Sequence, residues 1–124
     1  MAVTINVALR NIRADQITAF AGANAKLRVD TAGYVVLLYE SICAATLAPA
    51  ASNGILNASP IESAYATGAG TAALARLYKA DGTTMVIEGL TVGTVGTNVI
   101  ITSTVVAVKS FIQTSAFTLT EGNP

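Results

Sequence analysis

Residues 77–85 read LYKADGTTM, and this stretch is the clearest indication of the fold in the chain. Asp81-Gly82 lies between two runs of β-forming residues, and this dipeptide favours the positive φ angles that a tight primed turn requires. We therefore predict a β-hairpin at this point. Outward from it, from Lys26 onward, threonine, valine and isoleucine dominate, and glycine, asparagine or proline interrupts them at short intervals. That pattern is typical of strands joined by turns.

The pattern predicts a mainly β fold with seven candidate strands. No clear helical pattern separates successive strands, so a parallel βαβ sheet is not expected. The spacing of short strands instead favours a single β-sandwich or jelly-roll-like domain of about 7–8 antiparallel strands. Residues 53–69 are the most loop-like segment. The candidate strands are Lys26–Thr31, Tyr34–Ile42, Gly54–Asn57, Ala72–Lys79, Thr83–Glu88, Asn98–Val108 and Ser110–Thr120.

The first quarter of the chain differs from the rest. Residues 2–5 read as a short extended arm, and Asn6 is a suitable N-cap for a helix that reaches about Phe20 or Ala21. Gly22 is a suitable C-cap. Leu9, Ile12, Ile17 and Phe20 fall within one broad face of this helix, by its 3.6-residue period. We expect one compact unit, with the arm and helix in residues 1–25 and the β domain in residues 26–124.

The last predicted strand carries no charge on either face. Strict alternation places one face at Phe111, Gln113, Ser115, Phe117 and Leu119, and the other at Ile112, Thr114, Ala116, Thr118 and Thr120. A strand that is apolar or small on both faces fits a sandwich interior or a subunit contact better than a solvated edge.

Charge is scarce throughout the chain. Only 11% of the 124 residues are charged, with seven basic and seven acidic side chains, and 52% are hydrophobic. A typical soluble domain is about a quarter charged. Because net charge near zero favours association, we expect much of this surface to be covered by other subunits. The balance of charge also gives no field to attract nucleic acid or an anionic membrane, so we predict neither as a partner.

The composition argues against an enzyme. The chain contains no histidine, which removes Ser-His-Asp and Cys-His arrangements as well as the commonest metal ligand. The single cysteine, Cys43, lies in an apolar run, so we interpret it as a buried small hydrophobe. Residues 68–73 read GAGTAA and loosely match a dinucleotide-binding loop. The stretch before Asp81-Gly82 is short for the helix that such a loop needs, so a glycine-rich loop entering a strand is favoured. We predict no catalytic, cofactor-binding or metal-binding residue.

We expect no signal peptide at the start of this chain. The first residues lack the basic start of a signal peptide. The most apolar window, residues 31–51, has Glu40 near its centre, where a carboxylate costs about 3 kcal/mol on insertion scales. We therefore expect no membrane span.

Four stretches of the chain carry a resemblance. They are VALRNIRADQITA at 7–19, KLRV at 26–29, AASNGIL at 50–56, and the C-terminal run from Ser110-Phe111 to FTLTEGNP at 117–124. Together they resemble a family of small structural proteins of tailed bacteriophages and prophages. The resemblance covers most of the chain, and it implies one short N-terminal helix followed by a threonine-rich β domain.

The resemblance implies a virion component, made in the cytoplasm of a bacterial host and placed on the capsid exterior. The expected function is that of a capsid decoration or cement protein, which binds the major capsid protein and staples neighbouring capsid subunits. A homotrimer is the favoured self-association, with a dimer as the alternative. The expected interface residues are the arm, which adds as a strand to a partner's sheet edge, and one helix face. They are Ala2, Val3, Thr4, Ile5, Val7, Leu9, Ile12 and Ile17.

A second function of a different class stays open at this point. Small β domains also serve as receptor- or glycan-binding modules on tail fibres or tail tips, and the fold does not decide between the two. A glycan site usually clusters aromatic and polar side chains in loops. This chain has no tryptophan and only 6% aromatic residues, which favours the capsid hypothesis.

Overall fold

A computed structural model describes residues 6–59 and 61–120. Within them one α-helix is followed by eleven strands, with a short 3-10 turn at Ala32–Tyr34. The elements are α1 (Val7–Ala21), β1 (Lys26–Asp30), β2 (Leu37–Ile42), β3 (Ile55–Asn57), β4 (Ala64–Tyr65), β5 (Gly70–Thr71), β6 (Leu74–Tyr78), β7 (Met85–Gly93), β8 (Val99–Ile101), β9 (Val105–Val106), β10 (Phe111–Ile112) and β11 (Thr114–Thr120).

Seven strands form one sheet in the order β2-β1-β6-β7-β8-β11-β3, which curls into a half-barrel. Two small sheets, β4–β10 and β5–β9, complete the domain. The predicted mainly β domain with one N-terminal helix is therefore confirmed. One detail of pairing differs, because β7 and β8 are parallel where antiparallel pairing was expected.

Asn98 explains the parallel pair. Its side-chain oxygen accepts hydrogen bonds from the backbone N–H and the hydroxyl of Thr91, both at 3.1 Å, and its amide nitrogen donates to the carbonyl of Thr118 at 3.2 Å. The chain therefore returns beside Thr91 after only a short loop, and the next strand, β8, runs parallel to β7. Such a short connection suffices because the parallel ladder contains only two residue pairs, Val92–Val99 and Gly93–Ile100.

The core lies on the concave side of the sheet and is built mostly from aliphatic side chains. In β1 and β6 the alternate residues Leu27, Val29, Ala75 and Leu77 are fully buried, as period-2 strands require. Cys43 is also buried here, which confirms its interpretation as a core residue. The largest fully buried apolar side chains are Tyr39, Leu27, Leu38, Leu47, Leu56, Leu77, Ile101, Val29 and Val99.

The predicted hairpin is present, but its turn is wider than a two-residue primed turn. β6 ends at Tyr78 and β7 begins at Met85, so six residues separate the strands. Gly82 has a φ of 73°, whereas Asp81 is not among the residues with positive φ. The Asp81 carboxylate instead accepts bonds from the Thr83 and Thr84 N–H groups, both at 2.8 Å. These bonds, with that from the Thr84 hydroxyl, hold the pKa of Asp81 well below its usual range.

The strict alternation predicted for the last strand is wrong. The register of β11 on β8 shifts between Thr114 and Ala116, which makes Ser115 the extra residue of a β-bulge. The bulge reverses the alternation, so Ile112 and Thr114 are buried before it while Phe117 and Leu119 are buried after it. Phe111, which was predicted to share the face of Phe117, is exposed.

Several predicted strands also have other bounds, since β7 runs to Gly93 instead of Glu88, and the predicted strands Asn98–Val108 and Ser110–Thr120 are each divided in two. The first residues of the predicted strand Tyr34–Ile42 form a turn, because Gly33 and Tyr34 both have positive φ, and β2 begins only at Leu37. The short strands β4 and β5 were not predicted. Each holds two residues, which is too few to show an alternating pattern.

An ion pair between Asp30 and Arg76 lies where β1 ends beside β6, and its carboxylate is buried. Arg76 Nη2 lies 3.2 Å from Asp30 Oδ2, and the Asp30 side chain is only 1% exposed. The guanidinium also stacks on the ring of Tyr34, 4.5 Å from its centroid. Burial raises the pKa of Asp30, and the charge of Arg76 opposes this rise. The pair therefore joins β1, β6 and the turn that covers them.

Replacement of Arg76 by leucine should destabilise the fold strongly at neutral pH. The change leaves Asp30 as a buried, unpaired carboxylate, which costs about 3–5 kcal/mol. Because the pKa of Asp30 is raised, the folded chain binds a proton there more readily than the unfolded chain, so stability increases as pH falls towards that pKa. Urea unfolding at about pH 7 and about pH 5 should show the loss partly recovered at the lower pH.

Arg28→Leu is the matched control, since Arg28 lies directly opposite Arg76 in the β1–β6 ladder. Its partner Glu40 is about one-third exposed, at 32%, so no buried charge is left behind. We expect a smaller loss with less recovery at low pH, because the charge of Arg28 lowers the pKa of Asp30 less than Arg76 does. Equal losses with equal pH dependence in both variants would contradict the role assigned to Asp30.

Candidate functional site

The helix packs with its small side chains inward and its large apolar side chains outward. The fully buried residues of α1 are Ala14 and Ala21. Leu9, Ile12 and Phe20 are each about half exposed. These three residues, which we call the outer helix face, fall on the side of the helix opposite Ala14 because successive residues advance by about 100°.

Polar side chains fix the rotation of the helix. Arg10 donates to the carbonyl of Asn53 at 3.1 Å, and Asn11 accepts from the N–H of Gly54 at 2.7 Å. One turn later, Asp15 accepts from the N–H of Ala51 at 2.7 Å. All three partners belong to the turn that precedes β3, so these bonds hold the helix against this side of the sheet. The outer helix face is consequently fixed in an outward orientation.

The helix ends agree with prediction. The side chain of Asn6 accepts a hydrogen bond from the N–H of Ala8 at 2.8 Å, as an N-cap does. Gly22 follows the last helical residue with φ of 72° and donates to the carbonyl of Thr18. Sequence reasoning identified both caps correctly because capping depends on local chemistry.

The predicted interface residues separate into three groups. Leu9 and Ile12 belong to the outer helix face, and Val7, the first helical residue, is about half exposed. Ile17 was predicted on the same face, but it is partly buried and packs against the core. The arm residues Ala2, Val3, Thr4 and Ile5 lie outside the described residues.

Phe20 is positioned by a charged neighbour from the hairpin turn. The ammonium group of Lys79 lies 4.4 Å from the centroid of the Phe20 ring. Such a cation–π contact contributes about 0.5–1 kcal/mol at an exposed site. It places the C-terminal end of α1 beside the hairpin turn and leaves Phe20 about half exposed.

The charged side chains of β1 and β2 largely pair with one another. Glu40 lies within 2.5 Å of Arg28 Nε and 3.8 Å of Lys26 Nζ. Arg28 also donates to the carbonyl of Gly82 at 2.8 Å and stacks 4.4 Å from the centroid of the Tyr78 ring. The cations on this face of the sheet are therefore paired with its carboxylate, and they do not form the open cluster of cations that binds phosphate groups.

The residues with nucleophilic or ligating chemistry do not form a reactive site. Burial raises the pKa of Cys43 to about 11, so its thiol stays protonated at neutral pH. Among residues 6–59 and 61–120 no three cysteine, aspartate or glutamate side chains are grouped so that they could hold a metal ion. In the same part of the chain, no helix has the length and apolar character needed to cross a membrane.

The glycines of the segment 68–73 serve packing. A strand, β6, follows this segment where a nucleotide-binding loop would need a helix, so the interpretation as a loop entering a strand is confirmed. A Cβ atom at Gly68 would lie 2.4 Å from the carbonyl oxygen of Leu37, and one at Gly70 would lie 2.8 Å from Thr31 Cγ2. Both glycines therefore permit close approach to the chain between β1 and β2.

An exposed aromatic pair was not visible in the sequence. The rings of Tyr65 and Phe111 meet edge to face with centroids 5.4 Å apart. The two residues are separated widely along the chain and are paired across the small β4–β10 sheet. Their side chains are 68% and 60% exposed, so this pair forms an aromatic surface on the molecule.

Substitutions on the outer side of the helix should change the free energy of unfolding little, whereas substitutions on its buried side should lower it clearly. Ile12→Gln changes an exposed side chain, so we expect the free energy of unfolding to change by no more than about 0.5 kcal/mol. Ala14→Leu forces a larger side chain between the helix and the sheet and should cost about 1–3 kcal/mol. Thermal and urea unfolding monitored by circular dichroism would measure both. A larger loss for Ile12→Gln than for Ala14→Leu would show that the helix is rotated from this arrangement.

No protein-family model, no curated protein and no solved structure matches this chain.

Proposed function

We propose that this chain is a structural protein of a tailed-bacteriophage virion, and that it acts as a capsid decoration or cement protein on the exterior of the head. Two lines of argument support the proposal. One is the resemblance carried by the helix, the KLRV segment and the C-terminal run. The other is a surface that is poor in charge. In the N-terminal quarter of the chain, the outer helix face forms the main part of that surface.

The observation that carries the proposal is the outward orientation of Leu9, Ile12 and Phe20. An isolated domain gains nothing from large apolar side chains held away from its core. Full burial of such a side chain contributes about 1.5–3 kcal/mol, so covering three half-exposed ones contributes roughly 3 kcal/mol in total. Association itself costs at least about 4 kcal/mol, so the outer helix face needs further contacts to form a stable assembly.

In the proposed mechanism, the arm supplies such contacts. Residues 2–5 dock on the edge of a partner's sheet by strand addition, since Asn6 and Val7 belong to the capped start of the helix, and the partner is the major capsid protein of the phage. The outer helix face, with Leu9 and Ile12 at its centre, mediates self-association into a homotrimer, or alternatively a dimer. Together the two contacts would let one small domain hold neighbouring capsid subunits together.

The aromatic pair Tyr65 and Phe111 favours a second candidate function. Exposed aromatic rings stack on the apolar faces of sugars, and a pair of them is a common element of carbohydrate sites. On this hypothesis the chain is a receptor- or glycan-binding module of a tail fibre or tail tip. Substitution of both residues by alanine would then abolish adsorption of the virion to its host without changing its capsid.

Copy number separates the two functions. In purified virions of the phage that encodes this chain, quantitative mass spectrometry should find several hundred copies if the chain decorates the shell, because each capsomer offers equivalent sites. A tail location would give at most a few dozen copies. That lower number would contradict the capsid proposal directly. Complete absence from virions would contradict both hypotheses.

The arm and the helix face make separate predictions. Deletion of residues 1–5, which keeps the Asn6 cap of the helix, should abolish binding to expanded capsids in a pelleting assay while the purified domain stays folded. Leu9→Lys/Ile12→Lys should lower the oligomer mass measured by light scattering, because each lysine would have to be desolvated in the contact. Gln113→Lys/Ser115→Lys adds the same two charges at exposed polar positions and serves as the control. Unchanged capsid binding after the deletion would exclude the strand-addition mechanism.

A further inference from the structure

One end of the domain is built from four segments, which the order and direction of the strands bring to the same end of the sheet. The segments are the turn 31–37, the stretch 66–73, the loop 94–97 and the stretch 102–106. The N–H of Ala72 donates to the carbonyl of Thr104 at 2.7 Å, and the N–H of Val92 donates to the carbonyl of Ala73 at 3.0 Å. We call this region the valine end, because an exposed valine protrudes from three of the four segments.

Those valines are the most exposed large apolar side chains among the described residues. Val95 is 80% exposed, Val35 is 79% exposed and Val105 is 77% exposed. They come from different segments, so they are brought to the same end of the sheet by the fold alone. Val105 pairs with Thr71 in the β5–β9 sheet, which itself lies against the turn through Gly70 and Thr31.

The segments of the valine end carry no charge themselves, and the cations that border them are Lys109, whose N–H donates to the carbonyl of Ala66, and Arg76, which stacks on Tyr34. None of the residues in the ranges 31–37, 66–73 and 91–107 is acidic or basic. Asp30, which precedes the first range, is buried beneath the turn and paired with Arg76. The hairpin turn, with Lys79 and Asp81, lies at the other end of β6, since β6 runs from the valine end towards it.

The turn that presents Val35 is held rigidly. Thr31 donates its N–H to the carbonyl of Val36 and accepts from the N–H of Val36 at its hydroxyl, both at 3.0 Å. The Tyr34 hydroxyl accepts from the N–H of Gly89 at 2.5 Å, and Arg76 stacks on the Tyr34 ring. Valine also has few rotamers to lose. The surface is therefore preorganised, so little conformational entropy is lost when it is covered.

We propose that the valine end is a contact surface for a second copy of this chain. A partner surface that carried ions would have to desolvate them against valines without compensation, so the partner must be uncharged as well. The chain itself offers such a surface, and its net charge of zero removes the long-range repulsion between copies. Two copies related by a two-fold axis would bury the same uncharged surface from both sides.

This contact is distinct from the outer helix face. Phe20 at the end of the helix lies against Lys79, which belongs to the hairpin turn at the opposite end of β6. Two surfaces at different places on one domain allow each copy to contact more than one neighbour. The inference does not depend on a virion location, because it follows from exposure, charge and geometry of the isolated chain.

Sedimentation velocity over a wide concentration range tests the proposal on the purified full chain. Wild-type protein should self-associate as its concentration rises, and Val35→Lys/Val105→Lys should weaken that association at least tenfold. Thr83→Lys/Met85→Lys adds two charges at exposed positions in or beside the hairpin turn and should leave the association unchanged. Circular dichroism should show all variants folded, and Val95→Ser provides a milder change if a lysine variant does not fold.

The helix-face variant makes the two contacts distinguishable. In a Leu9→Lys/Ile12→Lys background, any contact through the outer helix face is weakened, and the valine end should still produce concentration-dependent dimers. The proposal is overturned if this background is monomeric at every concentration, or if folded Val35→Lys/Val105→Lys associates as tightly as the wild type. Neither of these results would bear on capsid binding by the arm.

Discussion

The ion pair between Asp30 and Arg76 is the interaction on which the arrangement of the sheet and its covering turn depends. It joins the neighbouring strands β1 and β6, and through the stack of Arg76 on Tyr34 it also holds the turn that precedes β2. A carboxylate that is 1% exposed requires a partner, since an unpaired buried charge would favour unfolding. The pair also marks a boundary in the molecule, with paired charges along the sheet on one side and the uncharged valine end on the other.

The structure shows where the few charged side chains of the chain lie. Charges that the sequence distributes between residues 26 and 81 gather largely on one face of β1, β2 and β6, where Glu40 pairs with Lys26 and Arg28. Exposed apolar side chains gather elsewhere, on the outer helix face and at the valine end. A domain that separates its polar and apolar surfaces in this way is suited to assembly, and the proposed structural role follows from that separation.

The accuracy of sequence reasoning varied with the range of the interactions involved. Both helix caps and the existence of the hairpin were predicted because Asn6, Gly22 and Gly82 act through neighbours in sequence. The orientation of the helix was not predicted correctly for Ile17, because helical periodicity groups apolar residues without showing which side faces the sheet. The bulge at Ser115 was also missed, since it arises from the register of β11 on a strand distant in sequence.

In the candidate site, too, local features were predicted and features that depend on distant contacts were not. The residues of the arm and helix were chosen from the sequence, and two of them, Leu9 and Ile12, do lie on an outward surface. Neither the Tyr65–Phe111 pair nor the valine end was found, because their members are far apart along the chain and share no local pattern. A contact between copies depends on which side chains lie together on the surface, and that arrangement exists only once the chain has folded.

The sequence by itself determined the mainly β class, the extent of the single helix, the scarcity of charge and the lack of histidine chemistry. Each of these follows from composition or from interactions a few residues apart. The tertiary structure alone decided that Ala14, Ala21 and Ile17 face the core while Leu9, Ile12 and Phe20 face outward, and that three valines from separate segments share one uncharged end. The physical reason is that packing selects side chains by the space available between elements, and that space does not exist until the strands have paired.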